Sequence, residues 1–399
     1  MAKKRGQNEG SIRKRKDGKW EARVTVGINP NGSNRRKSLY GKTRQEVSIK
    51  MAEFLNDLHK GTLIDPTNKT VAEWLDEWMH DYKKLVLKPT SYINYMGYID
   101  RQIVPMLGKY KLKDLRTDIV QKFIQDLVKL DLATGTIYGI VKVLKSAIKQ
   151  AYINGMISKN VTYGVTMPKN EKIPRKAFTP EQQNIFLEAA KGGEHSEAFI
   201  LSLFTGMRIG EVLALRWSDI NFDKSYLEVN RTAVVIKDVD NPDSKWHTDF
   251  GTPKTQSSVR TIPLSPPAQK LLQKVKGEQE VLKLRLGTGY EDNDLVFTAG
   301  TGTPLNPRNM QKLFKRICET ADLQGFTPHC LRHTFATLGY AQGIDIKVLQ
   351  EILGHANINE TANTYTHVDL DTIRQQMERM KLTADYGNDT TDETATAVL

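Results

Sequence analysis

The sequence predicts a multidomain α+β protein. It begins with a small three-stranded β-sheet plus helix, continues as an all-α helical segment, and ends in a mixed, mainly helical part with a small antiparallel sheet. Three observations predict this. The chain has 399 residues, enough for two or three separate cores. Within its first sixty residues a run from Trp20 to Val26 alternates apolar and polar side chains, ahead of a helix start at Thr43. From residue 70 onward apolar residues recur at helical spacing, interrupted late in the chain by two strand-like runs.

The elements follow in order. Asp17-Gly18 is a hairpin turn signal. Trp20, Ala22, Val24 and Val26 alternate with Glu21, Arg23 and Thr25, which gives one buried and one wet face. Asn29-Pro30-Asn31-Gly32 turns the chain again, and residues 35–40 read as a third strand. Thr43-Arg44-Gln45-Glu46 is a capping box that opens a helix to about Lys60. Residues 61–69 read as a linker. A second capping box, Thr70-Val71-Ala72-Glu73, starts an amphipathic helix carrying Val71, Trp74, Leu75 and Trp78. Helical patterns at residues 91–103, 117–130 and 134–154 complete a four-helix domain, in which Trp and Tyr are read as core.

Residues 167–176, with two prolines, have the composition of a linker. Thr179-Pro180-Glu181 starts a helix, since proline suits its first position. Residues 226–235 and 257–263 read as strands, and the remainder is mostly helical. The predicted domains are 1–63, 70–166 and 177–385, with a disordered tail at 386–399. No internal repeat is visible.

Composition narrows the function. Cys318 and Cys330 are the only cysteines, too few for a disulfide framework or a thiolate zinc site, and they suit a reducing cytoplasm. No apolar run follows the N-terminus as in a signal peptide, and none is long enough to span a bilayer. Residues 1–44 hold 14 Lys/Arg against three acids, so almost all of the net charge of +12 sits there. Such a concentrated excess suits a polyanion, because neutralising phosphates releases condensed counterions. A solubilising or membrane-binding basic arm is the plainer alternative; the folded look of the segment favours nucleic acid. Arg23, Arg35, Arg36 and Lys37 are placed on the open face of the sheet, a shape that the DNA major groove accepts.

The chemistry lies toward the C-terminus. Thr205-Gly206-Met207-Arg208-Ile209-Gly210-Glu211 stands far upstream of His329-Cys330-Leu331-Arg332-His333-Thr334, Leu353-Gly354-His355 and Tyr365. Two arginines, two histidines and a tyrosine so arranged suit a phosphodiester held by guanidinium groups and attacked by a phenol oxygen. That points to DNA strand breakage through a covalent protein–DNA link. Arg208 opens an apolar helical run (Val212, Leu213, Leu215), where free N–H groups and the dipole favour an anion. His329 and Arg332, three residues apart on a helix, share one face. Each guanidinium can contact two phosphate oxygens at any working pH, so a pair neutralises a phosphorane without a metal. Taken singly, either arginine would read as a surface or salt-bridging residue.

The ordered set Thr-Gly-x-Arg-x-x-Glu, His-x-Leu-Arg-His-Thr, Leu-Gly-His and a tyrosine ten residues later resembles the tyrosine recombinases. The likeness is nearest to integrases of temperate phages and conjugative transposons. It also extends, less specifically, to the helical segment and to the basic N-terminus, which looks like an arm-type DNA-binding domain. The resemblance implies that Arg208 and Arg332 clamp the scissile phosphate and that Tyr365 attacks it, leaving a 3′-phosphotyrosine and a free 5′-hydroxyl. His329 acts as base or donor, and His355 hydrogen-bonds a non-bridging oxygen. Lys254 protonates the departing 5′-oxygen from a β-hairpin loop, with Lys237 and Lys245 as nearby competitors for that role. Glu211 orients the site. These parts meet a chemical need, since a phenol ionises near pH 10 without help and an alkoxide leaves poorly without a proton. No cofactor and no metal is implied, because the phosphotyrosine conserves the energy of the bond.

Cys330 stands where the family often has Asp, which bears on a supporting hydrogen bond and not on the chemistry. His333 and His367 are read as structural or solvated, His333 as supporting the helix. Tyr340 is an alternative phenol, but its apolar helical setting favours packing. The implied partners are double-stranded DNA attachment sites of core and arm type, three further copies forming a homo-tetramer on DNA, and an excisionase or DNA-bending protein. The setting is a bacterial cytoplasm, at the nucleoid, with no membrane partner. Residues 370–382, with Ile373, Met377 and Met380, either dock on a neighbouring protomer or pack on their own domain. A type IB topoisomerase shares the cleavage chemistry, but the separate basic domain argues for bridging distant sites. A non-catalytic DNA-binding protein is disfavoured because no member of the set is missing.

Overall fold

Gly18 adopts a left-handed φ of +79°, and the chain turns there from β1 (Ser11–Lys14) into β2 (Trp20–Ile28). With β3 (Asn34–Gly41) these strands make an antiparallel sheet in the order β1-β2-β3. A computed structural model of the chain describes residues 10–28, 32–59, 68–169, 176–241, 243–252 and 258–354. Two compact units divide it, Met1–Lys172 and Ile173–Leu399.

In the first unit, Ala22 and Val24 of β2 are fully buried, as is Val47 of α1 (Arg44–His59), the helix that packs on this sheet. The opposite face follows from the register: Arg13 pairs with Glu21 and Glu21 with Tyr40, while Ser11 and Ser38 flank Arg23 and Thr25 faces Arg36. This register corrects the expected placement of Arg35 and Lys37. Lys37 stands opposite Val24, and Arg35 lies two residues before it, so both are on the α1 side. Successive residues of a strand point to opposite faces, so Arg35, Arg36 and Lys37 cannot share one. Arg23 and Arg36 do share the open face. At the start of α1, Thr43 Oγ1 accepts from Glu46 N at 3.1 Å, whereas the Glu46 carboxylate accepts from Lys42 N at 2.8 Å. The expected capping box therefore closes one residue early on its return arm.

The helical part begins with α2 (Val71–Glu77), whose Thr70–Glu73 capping box is complete, and runs on through a π-helical turn at Trp78–Lys83. The helix expected at residues 91–103 is α3 (Pro89–Tyr98) followed by a second π-helical stretch, Ile99–Ile103, and then by α4 (Val104–Leu107). Next come α5 (Thr117–Lys129) and α6 (Thr134–Ile153). Trp74, Trp78, Phe123 and Leu144 centre a core belonging to this part alone, and Trp74 Nε1 donates to the Ala147 carbonyl at 2.9 Å.

The second unit opens with α7 (Pro180–Ala190), held by a capping box of Thr179 and Gln182. It continues through α8 (Ser196–Thr205), the single turn α9 (Ile209–Val212), and the strands β4 (Ile220–Asn221), β5 (Tyr226–Val229), β6 (Thr232–Ile236), β7 (His247–Gly251) and β8 (Arg260–Pro263). Then follow α10 (Pro266–Leu286), α11 (Pro307–Thr320), α12 (His329–Ala341) and α13 (Ile346–Leu353). The strand expected at 226–235 is in fact two. β5 lies between β4 and β8, and β6 pairs with β7 in a separate two-stranded sheet. Phe186, Phe199 and Phe314 centre the core, each adjacent pair of rings 5.3 Å apart, with Leu213, Leu227 and Leu331 around them.

Both cysteines lie in this core. Burial pushes the Cys318 thiol up to about 11 and raises that of Cys330 as well. No helix among the described residues is long and apolar enough to cross a membrane.

Candidate active site

Gly206 ends α8 in a left-handed conformation, φ +67°. A Cβ there would stand 2.6 Å from Phe335 and 3.0 Å from Leu353, so only glycine lets this turn press against α12 and α13. The turn delivers Arg208 as the extended residue before α9. One turn later Glu211 reaches back, accepting from Arg208 N at 3.0 Å and from Arg208 Nη1 at 2.8 Å. The same carboxylate accepts from Arg260 Nη2 at 2.9 Å. Glu211 is 3% exposed and Arg260 5%, but Arg208 is 38% exposed. One guanidinium is thus internal and the other is offered to solvent. Burial alone would raise the Glu211 carboxyl; Arg260 and then Arg208 outweigh it and hold the group below its ordinary value.

Two inward-facing arginines secure the end of α13. Arg260 Nε donates to the Ile352 carbonyl at 2.5 Å, and its Nη1 to Ser258 O at 3.0 Å. Arg332, 2% exposed, donates Nη2 to Leu353 O at 2.5 Å and Nη1 to Gly206 O at 2.9 Å. Cations suit the Ile352 and Leu353 carbonyls, which carry the negative end of the α13 dipole. Arg332 therefore links α12 to the turn that carries Arg208 and to the point where the chain leaves α13 at Gly354.

His329 is the first residue of α12. It lines a cleft of about 400 Å³ together with Arg208, Ile209, Gln311, Lys315 and Thr327. Its ring meets that of His333 edge-on, centroids 4.6 Å apart. Thr334, also on α12, accepts from Phe178 N at 2.8 Å and so ties the helix to the start of the unit.

The structure thus brings Arg208 and His329 onto one cleft, with Glu211 behind Arg208 and Arg332 buried against the same turn. Lys254, His355 and Tyr365 lie outside the described residues, as do the 370–382 segment and the 386–399 tail. In the first unit, Arg23 and Arg36 line a second cleft with Arg13 on the open face of the sheet, away from Arg35 and Lys37. Arg260 carries no motif along the chain and looks like one charge within the strand-like run 257–263. Glu21 and Arg13 likewise stand in no motif. No group of three or more His, Cys, Asp or Glu able to hold a metal occurs among the described residues. Chemically, the first cleft offers an exposed guanidinium, an imidazole and Lys315 to an anion.

Comparison with known proteins shows the family. Residues 176–371 match the phage integrase family, and residues 70–128 match the SAM-like N-terminal domain of phage integrases. A tyrosine recombinase XerC-like protein of Caldanaerobacter subterraneus subsp. tengcongensis is 32% identical over 369 residues, 88% of this chain and 94% of its own length. Among solved structures, the Tn1549 transposon integrase in complex with a circular intermediate DNA shares the fold with a TM-score of 0.64 at 23% identity. The match covers 78% of this chain and 99% of that one. A lambda integrase tetramer bound to a Holliday junction matches at a TM-score of 0.57 and 20% identity, over 92% of this chain and 99% of that one. An ordered motif set, a cleft that joins two of its members and a family match over most of the second unit agree: the chain belongs to the phage integrase family of tyrosine recombinases, enzymes that break and rejoin DNA.

Proposed function

We propose that this chain is a site-specific integrase that inserts and excises a mobile element by cleaving and rejoining DNA at core and arm attachment sites. The observation that carries the reading is the cleft shared by Arg208 and His329, with Arg332 buried against the Arg208 turn. In this reading Arg208 and Arg332 hold the non-bridging oxygens of the scissile phosphate, Arg332 exchanging its bonds to Gly206 O and Leu353 O for the phosphate when DNA binds. The Tyr365 phenol oxygen, its proton passing to His329 or solvent, bonds to phosphorus as the P–O5′ bond breaks. Lys254 gives a proton to the leaving 5′-oxygen, and His355 donates to a non-bridging oxygen. Rejoining runs the same steps backward with a 5′-hydroxyl from the partner duplex. Fixed cations aimed at developing charge supply most of the acceleration.

The chain acts as three domains, 1–63 on arm-type DNA, 70–166 on core DNA and 177–385 in catalysis. Four copies assemble on two duplexes and exchange strands in two steps through a Holliday junction, assisted by an excisionase or DNA-bending protein at a bacterial nucleoid. The lambda integrase tetramer on a Holliday junction and the Tn1549 integrase on circular intermediate DNA support this reading by their fold.

Incubation with a nicked duplex from the element's own junction tests it. Wild-type protein should accumulate a covalent 3′-adduct, and Tyr365→Phe none. Arg208→Ala should cleave about 100-fold more slowly, the loss typical of removing one donor to a developing oxyanion. Equal adduct from Tyr365→Phe and wild type would overturn the assignment.

A further inference from the structure

The open face of the N-terminal sheet carries an acid among its cations. Glu21 has 2% of its side chain exposed, although it lies on the face turned away from α1. Two arginines cover it. Arg13 on β1 donates Nε to Glu21 Oε2 at 2.7 Å, with its Nη2 also 2.7 Å from that oxygen. Arg23, two residues along β2, donates Nε to Oε1 at 3.0 Å. The Tyr40 hydroxyl donates to Oε1 at 3.5 Å from the neighbouring strand. The Arg13 bond above all, then those of Arg23 and Ser38, outweighs burial and lowers the carboxyl to about 2.

A carboxylate in a phosphate-binding surface repels the ligand and subtracts from the electrostatic attraction. What it contributes is geometry. Arg23 meets Glu21 through Nε, which leaves its two terminal nitrogens as a fixed fork. That fork matches O6 and N7 of guanine in the major groove. Holding it in place before binding removes rotamer entropy that a loose arginine would lose on contact. Arg36 lines the same cleft but has no carboxylate partner among the described residues, which suits a phosphate contact.

We infer that Glu21 is a positioning residue for sequence reading: braced by Arg13, it fixes Arg23 for bidentate contact with guanine in the arm-type site, while Arg36 binds phosphate. The inference rests on the proposed role of this face as a DNA interface.

The test is selection from a random-sequence duplex pool with the full chain, then binding of the selected duplex and of a scrambled one. Glu21→Gln should weaken the selected duplex roughly 10-fold, the discrimination of about one bidentate pair, and leave the scrambled duplex unchanged or tighter. Arg23→Lys keeps the charge and the fold but lacks the fork, so it should lose the same base positions in a repeat selection. Arg36→Ala should weaken both duplexes alike. Equal weakening of both duplexes by Glu21→Gln, or an unchanged selected motif with Arg23→Lys, overturns the positioning role. If Arg23→Ala and Arg36→Ala each bind the selected duplex like wild type, the DNA interface itself is wrong and the inference falls with it.

Discussion

Glu211 is where two arginines with different surroundings meet. Arg208 opens to the cleft, while Arg260 is enclosed and reaches the end of α13. Glu211→Gln leaves Arg260 as an uncompensated internal charge, so it should cost about 3 kcal/mol in urea unfolding of the second unit. Arg260→Met should cost a similar amount, and the double variant less than the sum of the two, because neither charge is then stranded. The pH dependence has a definite sign. The Glu211 carboxyl is depressed in the folded state, so its contribution is complete above its ordinary value of 4.5 and is lost as pH falls from there through the folded value. Urea midpoints measured from pH 7 down to 3 should fall for wild type, and Glu211→Gln should lack this part of the fall.

At this scale local placement was legible: Arg208 stands immediately before a helix, and His329 and Arg332 lie three residues apart on one helix, as their motifs predict. Arg260 and Glu21 were not legible. A charge whose partners come from other strands or helices looks, along the chain, like any solvated charge. Arg35 and Lys37 failed for a simpler reason, since a run of three basic residues on a strand must divide between two faces.

Among elements, the turn at Gly206 shows how a backbone constraint supports the site. It needs a left-handed φ, and its missing Cβ is what allows Phe335 and Leu353 to approach. Gly206→Ala combines both penalties and should destabilise the second unit by about 2 kcal/mol, read as a lowered thermal midpoint. It should also slow cleavage, because Arg332 anchors on the Gly206 carbonyl. Helix starts were legible: Thr70 and Thr179 both form complete capping boxes, local features needing nothing from afar. The interior of the 91–103 helix was not, because nothing local announces a π-helical stretch. Likewise β7, His247–Gly251, mixes His, Thr, Asp and Phe and is a strand only through its pairing with β6. The division of 226–235 between two sheets turns on Asn230 and Arg231, both of which bind Asp219 from outside the strands.

At the scale of the whole molecule, charge and chemistry are separated. Nearly all of the net charge lies within the first 44 residues, whereas the cleft with Arg208 and His329 lies in the second unit. A chain beginning at residue 64 should therefore cleave a nicked core duplex at close to the wild-type rate. It should bind arm DNA at least 10-fold more weakly, with a shallower dependence of log K on log salt because fewer counterions are released. A wild-type salt slope in the shortened chain would place the phosphate contacts elsewhere. The boundary between the units falls at residue 172, inside the stretch whose prolines and lysines read as a linker. The other stretch read as a linker, residues 61–69, falls inside the first unit.

The two thiols have a use of their own. Cys318 and Cys330 sit together inside one unit, and the first unit has none. Alkylating reagents attack the thiolate, which burial suppresses at both positions. Under native conditions modification should therefore wait on the opening of that unit alone. The rate at which iodoacetamide is consumed becomes an internal clock for how often the catalytic half breathes, and DNA that grips this half should slow it.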